Sequence, residues 1–104
     1  LLAHTLTSPG FPSTYSNHLT LAWTIDAGSR NRVKIVFTRF NLEACCDFVK
    51  VYNGASTNNL LGSFNGINIP SDRITTGRYM YITFTTDHSV VKTGFSANIY
   101  KILT

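Results

Sequence analysis

From Arg32 to Thr38 the chain alternates, with Val33, Ile35 and Phe37 on one side of an extended segment and Lys34, Val36 and Thr38 on the other. Leu21, Trp23 and Ile25 mark an earlier strand of the same kind, and Val49 with Val51, then Met80, Ile82 and Phe84, then Phe95, Ala97 and Ile99 mark later ones. Turn signals separate these runs: Ser8-Pro9-Gly10, Ala27-Gly28-Ser29, Asn53-Gly54, Asn65-Gly66, Ile69-Pro70-Ser71, Thr76-Gly77 and Thr93-Gly94. Asn53-Gly54 predicts a tight two-residue hairpin, because a type I′ turn needs positive φ at both central positions. Many short strands at this spacing predict an all-β fold, a two-sheet antiparallel β-sandwich of jelly-roll type. Apolar runs are short and broken by Thr, far from the ~20 residues of a membrane-spanning helix, so no membrane insertion is expected.

Composition narrows the class. The chain has 104 residues, 43% of them hydrophobic and 13% charged, which is enough apolar surface for a core and predicts one domain over residues 1–104. The Leu1-Leu2-Ala3 start is too brief for a signal peptide, so the chain reads as a mature or excised soluble domain. Its net charge of +4 is scattered, except that Arg30, Arg32 and Lys34 would share one side of an extended segment and could meet an anionic glycan. The aromatic residues fall mostly at apolar positions of the alternating runs, so they serve a core better than base stacking, and no nucleic-acid partner is expected.

The order of several short motifs carries a resemblance. Ser8-Pro9-Gly10-Phe11-Pro12, Tyr15, Leu21-Ala22-Trp23-Thr24-Ile25, Phe40-Asn41-Leu42-Glu43, Asp47-Phe48-Val49-Lys50-Val51-Tyr52-Asn53-Gly54, Phe64-Asn65-Gly66, Thr83-Phe84-Thr85-Thr86-Asp87 and Gly94-Phe95-Ser96-Ala97 together resemble a CUB domain, from about Leu6 to Tyr100. The Cys45-Cys46-Asp47 and Tyr52-Asn53-Gly54 stretches are similar in style to invertebrate CUB modules, including those joined to C-type lectin domains. The resemblance implies a secreted, extracellular recognition module.

The cysteines depart from that pattern. CUB domains usually carry two disulfides, but Leu21 and Asn65 stand where two of the four cysteines are expected, and Cys45 and Cys46 are the only cysteines in the chain. Adjacent Cα atoms lie ~3.8 Å apart, below the usual ~4.4 Å lower limit for a bridge. A vicinal disulfide, a free thiol pair, and pairing to another chain or to a segment outside these residues all stay open. A Cys2His2 zinc site lacks the required Cys-x-x-Cys and His-x-x-x-His spacings.

The candidate chemistry lies in the acids, of which there are five. Glu43 and Asp47 flank one loop and Asp87 ends an apolar strand. The resemblance implies that these three bind Ca2+, that Tyr15 hydrogen-bonds the carboxylates, and that Ser89, with His88 second, supplies a further ligand. Gathered carboxylates repel unless one takes a proton or a cation joins them. Calcium, with six to eight oxygen ligands in flexible geometry, suits ligands drawn from distant loops. The alternative is that the three acids are solvated or pair with Arg39, Arg73 or Lys92.

Asp87-His88-Ser89 spells the letters of a hydrolase triad, yet consecutive extended residues point in alternating directions, whereas a triad needs its His between the other two. Glu43 with Asp47 could imitate a glycosidase pair, but so short a chain leaves little room for a sugar-sized cleft. A non-enzymatic module is therefore expected. Three carboxylates around one dication leave about one negative charge, and the resemblance implies that a Lys or Arg of a protein partner meets it. Two other readings are a homo-oligomer joined through unpaired cysteines or a sheet edge, and the anionic-glycan reading above.

Overall fold

The computed structural model describes residues 2–88 and 90–103, and its regular structure is entirely β-strand. Eight strands form: β1 (Leu2–Thr7), β2 (Thr20–Asp26), β3 (Asn31–Asn41), β4 (Phe48–Asn53), β5 (Leu60–Phe64), β6 (Arg73–Ile74), β7 (Tyr79–Thr85) and β8 (Gly94–Leu103). They make two four-stranded antiparallel sheets, ordered β1-β8-β3-β6 and β2-β7-β4-β5, packed as a jelly-roll sandwich.

Alternation decides what lies between the sheets. Val33, Ile35, Val49, Val51, Met80, Ile82, Phe84, Phe95, Ala97 and Ile99 are all fully buried. Phe84 and Phe95, one from each sheet, meet edge-to-face with centroids 5.2 Å apart, which fixes the facing of the two layers. Trp23 lies on the inward side of β2, as its alternation predicts, and contacts Phe95 edge-to-face at 6.3 Å. It is only half-buried, because β2 is an edge strand and one flank of the ring has no neighbouring strand.

Two elements differ from the sequence pattern. β3 runs on to Asn41, and its pairing with β8 slips between Phe37 and Arg39, so Phe37 and Phe40 both turn inward although they are three residues apart. The tight hairpin predicted at Asn53-Gly54 does not form; residues 54–59 make a wider loop, closed by the Asn53 N–H donating to the Asn59 carbonyl at 2.7 Å. The reason is visible at Asn53, whose side-chain amide donates to Thr76 Oγ1 and accepts from the Thr76 N–H, both at 3.0 Å. That cross-link keeps Asn53 in the strand, and Gly54 alone takes the positive φ, at 117°.

Strand pairing places three connections at one end. Thr20 pairs with Thr85 and Phe48 pairs with Thr85, while Asn41 pairs with Gly94. The β1–β2, β3–β4 and β7–β8 connections therefore leave the sandwich together. Gly94 makes that junction tight: it has φ of +90°, and a Cβ there would strike Ser8, whose buried hydroxyl accepts the Phe95 N–H at 3.1 Å.

Candidate metal centre

Each connection contributes one part of an acidic site. The β1–β2 connection carries Tyr15, whose ring is buried edge-to-face on Phe84 at 5.2 Å, so that its hydroxyl emerges at the end of the core. The connection is held by the Tyr15 N–H donating to the Lys92 carbonyl at 3.1 Å and the His18 N–H donating to the Asp87 carbonyl at 2.8 Å. Thr86 adds to this lacing, its hydroxyl accepting the Leu19 N–H at 2.7 Å and donating to the Ser16 carbonyl at 3.0 Å.

Asp47 is the fixed member of the set. It is fully buried at the start of β4, where its Oδ2 accepts the Tyr15 hydroxyl at 2.5 Å and its Oδ1 accepts the Asp87 backbone N–H at 3.0 Å. These two bonds aim the carboxylate and set Asp87 beside it. Tyr15 is bound on both sides, since its hydroxyl also accepts the Glu43 N–H at 3.3 Å. Burial first, then the hydrogen bond to Asp47, pushes the Tyr15 hydroxyl above its ordinary titration range, so it stays a donor.

Glu43 completes the group. One oxygen from each of Glu43, Asp47 and Asp87 lies within 4.8 Å of the others. Glu43 Oε1 is shielded from solvent and has no hydrogen-bond partner. Its carboxyl is held above the usual range, first by burial, then by the Asp87 charge and a hydrogen bond with Asp87, with the Asp47 charge adding and Lys92 opposing. An orphaned buried oxygen beside two further carboxylates is an arrangement that a cation or a proton completes. The carboxylate set is entirely oxygen and is drawn from two connections distant in the chain, β3–β4 and β7–β8, which fits calcium better than a metal preferring nitrogen or sulfur.

The three acids and Tyr15 are thus brought together as the sequence reading expects. Ser89 lies outside the described residues, and His88 is exposed next to Asp87. The cysteine alternatives resolve: Cys45 and Cys46 are joined to each other, and no free cysteine remains for an interchain bridge. Of the cations considered as partners for the acids, Arg73 instead bonds the Leu61 carbonyl at 3.1 Å. The glycan triad is not assembled as read. Arg30 precedes β3 with a left-handed φ of 67°, so the alternation aligns only Arg32 and Lys34, and Lys34 pairs with Asp72 at 3.5 Å.

Asn65 is a contributor that sequence reasoning passed over. Its side-chain amide donates to the Ala44 carbonyl, and the adjacent Gly66 carbonyl accepts the Leu42 N–H at 2.9 Å. The position where a family cysteine is expected therefore still holds the Glu43-to-Asp47 loop, by hydrogen bonds. An Asn-Gly pair reads as a turn from sequence alone, and nothing local signals that its amide reaches residue 44.

Residues 2–99 match the profile of the CUB domain family. Cubilin of Sus scrofa is 36% identical over 96% of this chain, which spans only 3% of cubilin's length. The CUB1-EGF-CUB2 domain structure of human MASP-1/3 superposes with a TM-score of 0.87 at 28% identity, covering 97% of this chain and 42% of that one. A crystal structure of the MASP-1 CUB2 domain bound to Ca2+ superposes with a TM-score of 0.81 at 25% identity, covering 91% of this chain and 88% of that one.

Proposed function

The chain belongs to the CUB family, and from that premise we propose that residues 1–104 form one extracellular, non-enzymatic recognition unit that binds Ca2+ through Glu43, Asp47 and Asp87. In this reading Tyr15 orients the carboxylates, Ser89 adds a further oxygen, and the Cys45-Cys46-Asp47 stretch belongs to an invertebrate style of the family. The observation that carries it is the convergence of one oxygen each from Glu43, Asp47 and Asp87, in a group where Glu43 Oε1 is buried without a hydrogen-bond partner. The Ca2+-bound structure of a CUB domain similar over most of its length supports the choice of ion.

The partner follows from charge. Calcium offsets two of three negative charges, and the remaining carboxylate lone pairs suit a Lys or Arg from a protein partner. A protein of net charge +4 then carries a locally acidic contact site. Binding to an immobilised lysine-rich peptide tests this: capture should require calcium, vanish with chelator, and be competed by free lysine. Capture by a sulfated polysaccharide that falls with salt but ignores chelator would instead favour the basic strand face around Arg32 and Lys34.

A further inference from the structure

Glu43 belongs to a second convergence besides the carboxylate set. One of its oxygens and the two sulfurs of Cys45 and Cys46 lie within 4.8 Å of one another. The Glu43 carbonyl accepts the N–H groups of Cys46 and Asp47, each at 3.4 Å, so the turn brings residue 43 back beside the bridge. Cys45 is exposed and Cys46 half-buried. A bridge between adjacent residues closes the shortest loop a chain allows and removes little entropy from the unfolded state, so stabilising the whole fold does not account for it. Its effect is confined to the turn that carries Glu43 and leads into Asp47.

We propose that the Cys45–Cys46 bridge is a two-electron gate: once a dithiol reductant opens it, the Glu43–Cys45–Cys46 turn binds a thiophilic divalent cation such as Zn2+ or Cd2+ and withdraws Glu43 from the calcium set. The soft-metal site stands on this geometry alone; the competition for Glu43 rests on the calcium reading. In the first step a thiolate of the reductant attacks the exposed Cys45 sulfur, and Cys46 leaves as a thiolate. The second thiol of the reductant resolves the mixed disulfide, so that Cys45 and Cys46 end as thiols and the reductant as its own disulfide. On metal binding each thiol releases its proton to solvent and forms a metal–sulfur bond, with the Glu43 carboxylate as third ligand and water completing the shell. Tetrahedral Zn2+ with ~2.3 Å sulfur and ~2.0 Å oxygen bonds needs ligands roughly 3 to 4 Å apart; the Glu43 oxygen already lies within 4.8 Å of both sulfurs, and the sulfurs, bonded to each other at present, reach that spacing only when reduction lets them move apart. Thiolates select ions of this class over calcium.

The test is a Cd2+ titration of the oxidised chain and of the chain reduced by a dithiol and then desalted without oxygen, read by thiolate-to-metal charge-transfer absorption in the near ultraviolet. The expected result is one Cd2+ per reduced chain, bound at least tenfold more tightly than by the oxidised chain, and weakened by Glu43→Gln. Equal binding by both forms, or no charge-transfer band on reduction, overturns the site. A Cys45→Ser, Cys46→Ser double variant should lose the band; if it fails to fold, the oxidised wild type remains the reference. Calcium titration of reduced chains with and without Cd2+ then reads the competition, with weaker calcium binding expected when Cd2+ is present and equal affinity overturning it. An oxidised chain that binds no calcium would remove the calcium reading while leaving the charge-transfer result to decide the sulfur site.

Discussion

Glu43 is where burial, charge and function pull against one another. Its carboxyl titrates above the ordinary value of 4.5 because burial and the neighbouring Asp87 and Asp47 disfavour its charge. In the metal-free chain, then, the folded state keeps a proton that the unfolded state releases at the same pH. The contribution of Glu43 to the stability of that chain should be fullest below about 4.5 and decline as pH rises through the raised folded value. Calcium should flatten the decline by taking the proton's place. Glu43→Gln should separate the two effects, raising the neutral-pH melting temperature of the metal-free chain while weakening calcium binding at least tenfold, about 1.4 kcal/mol. Melts across pH with calcium or chelator check both. A Gln variant that melts lower than wild type without metal would show that Glu43 is not repelled there.

At the scale of elements, the site depends on how the Glu43-to-Asp47 loop is held. Asn65 grips it through the Ala44 carbonyl and Gly66 through the Leu42 N–H. The Asn65 bond is exposed, so after Asn65→Ala water can replace it, and the loss of global stability should stay near 1 kcal/mol or below. Calcium affinity should fall more than stability does, because two of the three proposed ligands hang from this loop. Denaturant unfolding beside calorimetry compares the two, and a large stability loss with unchanged calcium binding would place the Asn65 role in the fold rather than the site. The same element shows the limit of sequence reading. The alternation around Val33, Ile35 and Phe37 announces its strand, but the slip after Phe37 and the Asn53–Thr76 cross-link depend on partners distant in the chain. β5 and β6 lack a clean apolar alternation, being short edge strands with one free flank.

Across the whole molecule, the two sheets are joined by one buried apolar core crossed by aromatic contacts, and a cation adds a link at one edge. Arg73 on the edge of one sheet bonds the Leu61 carbonyl on the edge of the other, and its guanidinium lies 4.9 Å from the Phe64 ring centre. At the centre, Phe95 is fully buried and touches Phe37, Phe84 and Trp23. Phe95→Ala should cost about 3 to 5 kcal/mol, a large share of a total stability of roughly 5 to 15 kcal/mol, whereas half-buried Trp23→Ala should cost less. Urea unfolding of both variants orders them, and a larger loss at Trp23 would mean that the edge strand, rather than the centre, holds the layers together.

The inward faces of both sheets were legible because period-two alternation runs through most of each long strand, β3 departing from it only after Phe37. The acidic site was legible only as three acids in the motif order of a known family, since no local pattern says that residues 43, 47 and 87 meet. Their meeting follows from which strand ends share one edge of the sandwich. Calorimetric calcium titration of the oxidised chain beside its Asp87→Ala variant tests that meeting most directly. The prediction is one ion per chain, with dissociation on the order of 10⁻⁴ to 10⁻³ M, and at least tenfold weaker binding when Asp87 is removed. Absence of binding at millimolar calcium, or a variant that binds as wild type does, would contradict it.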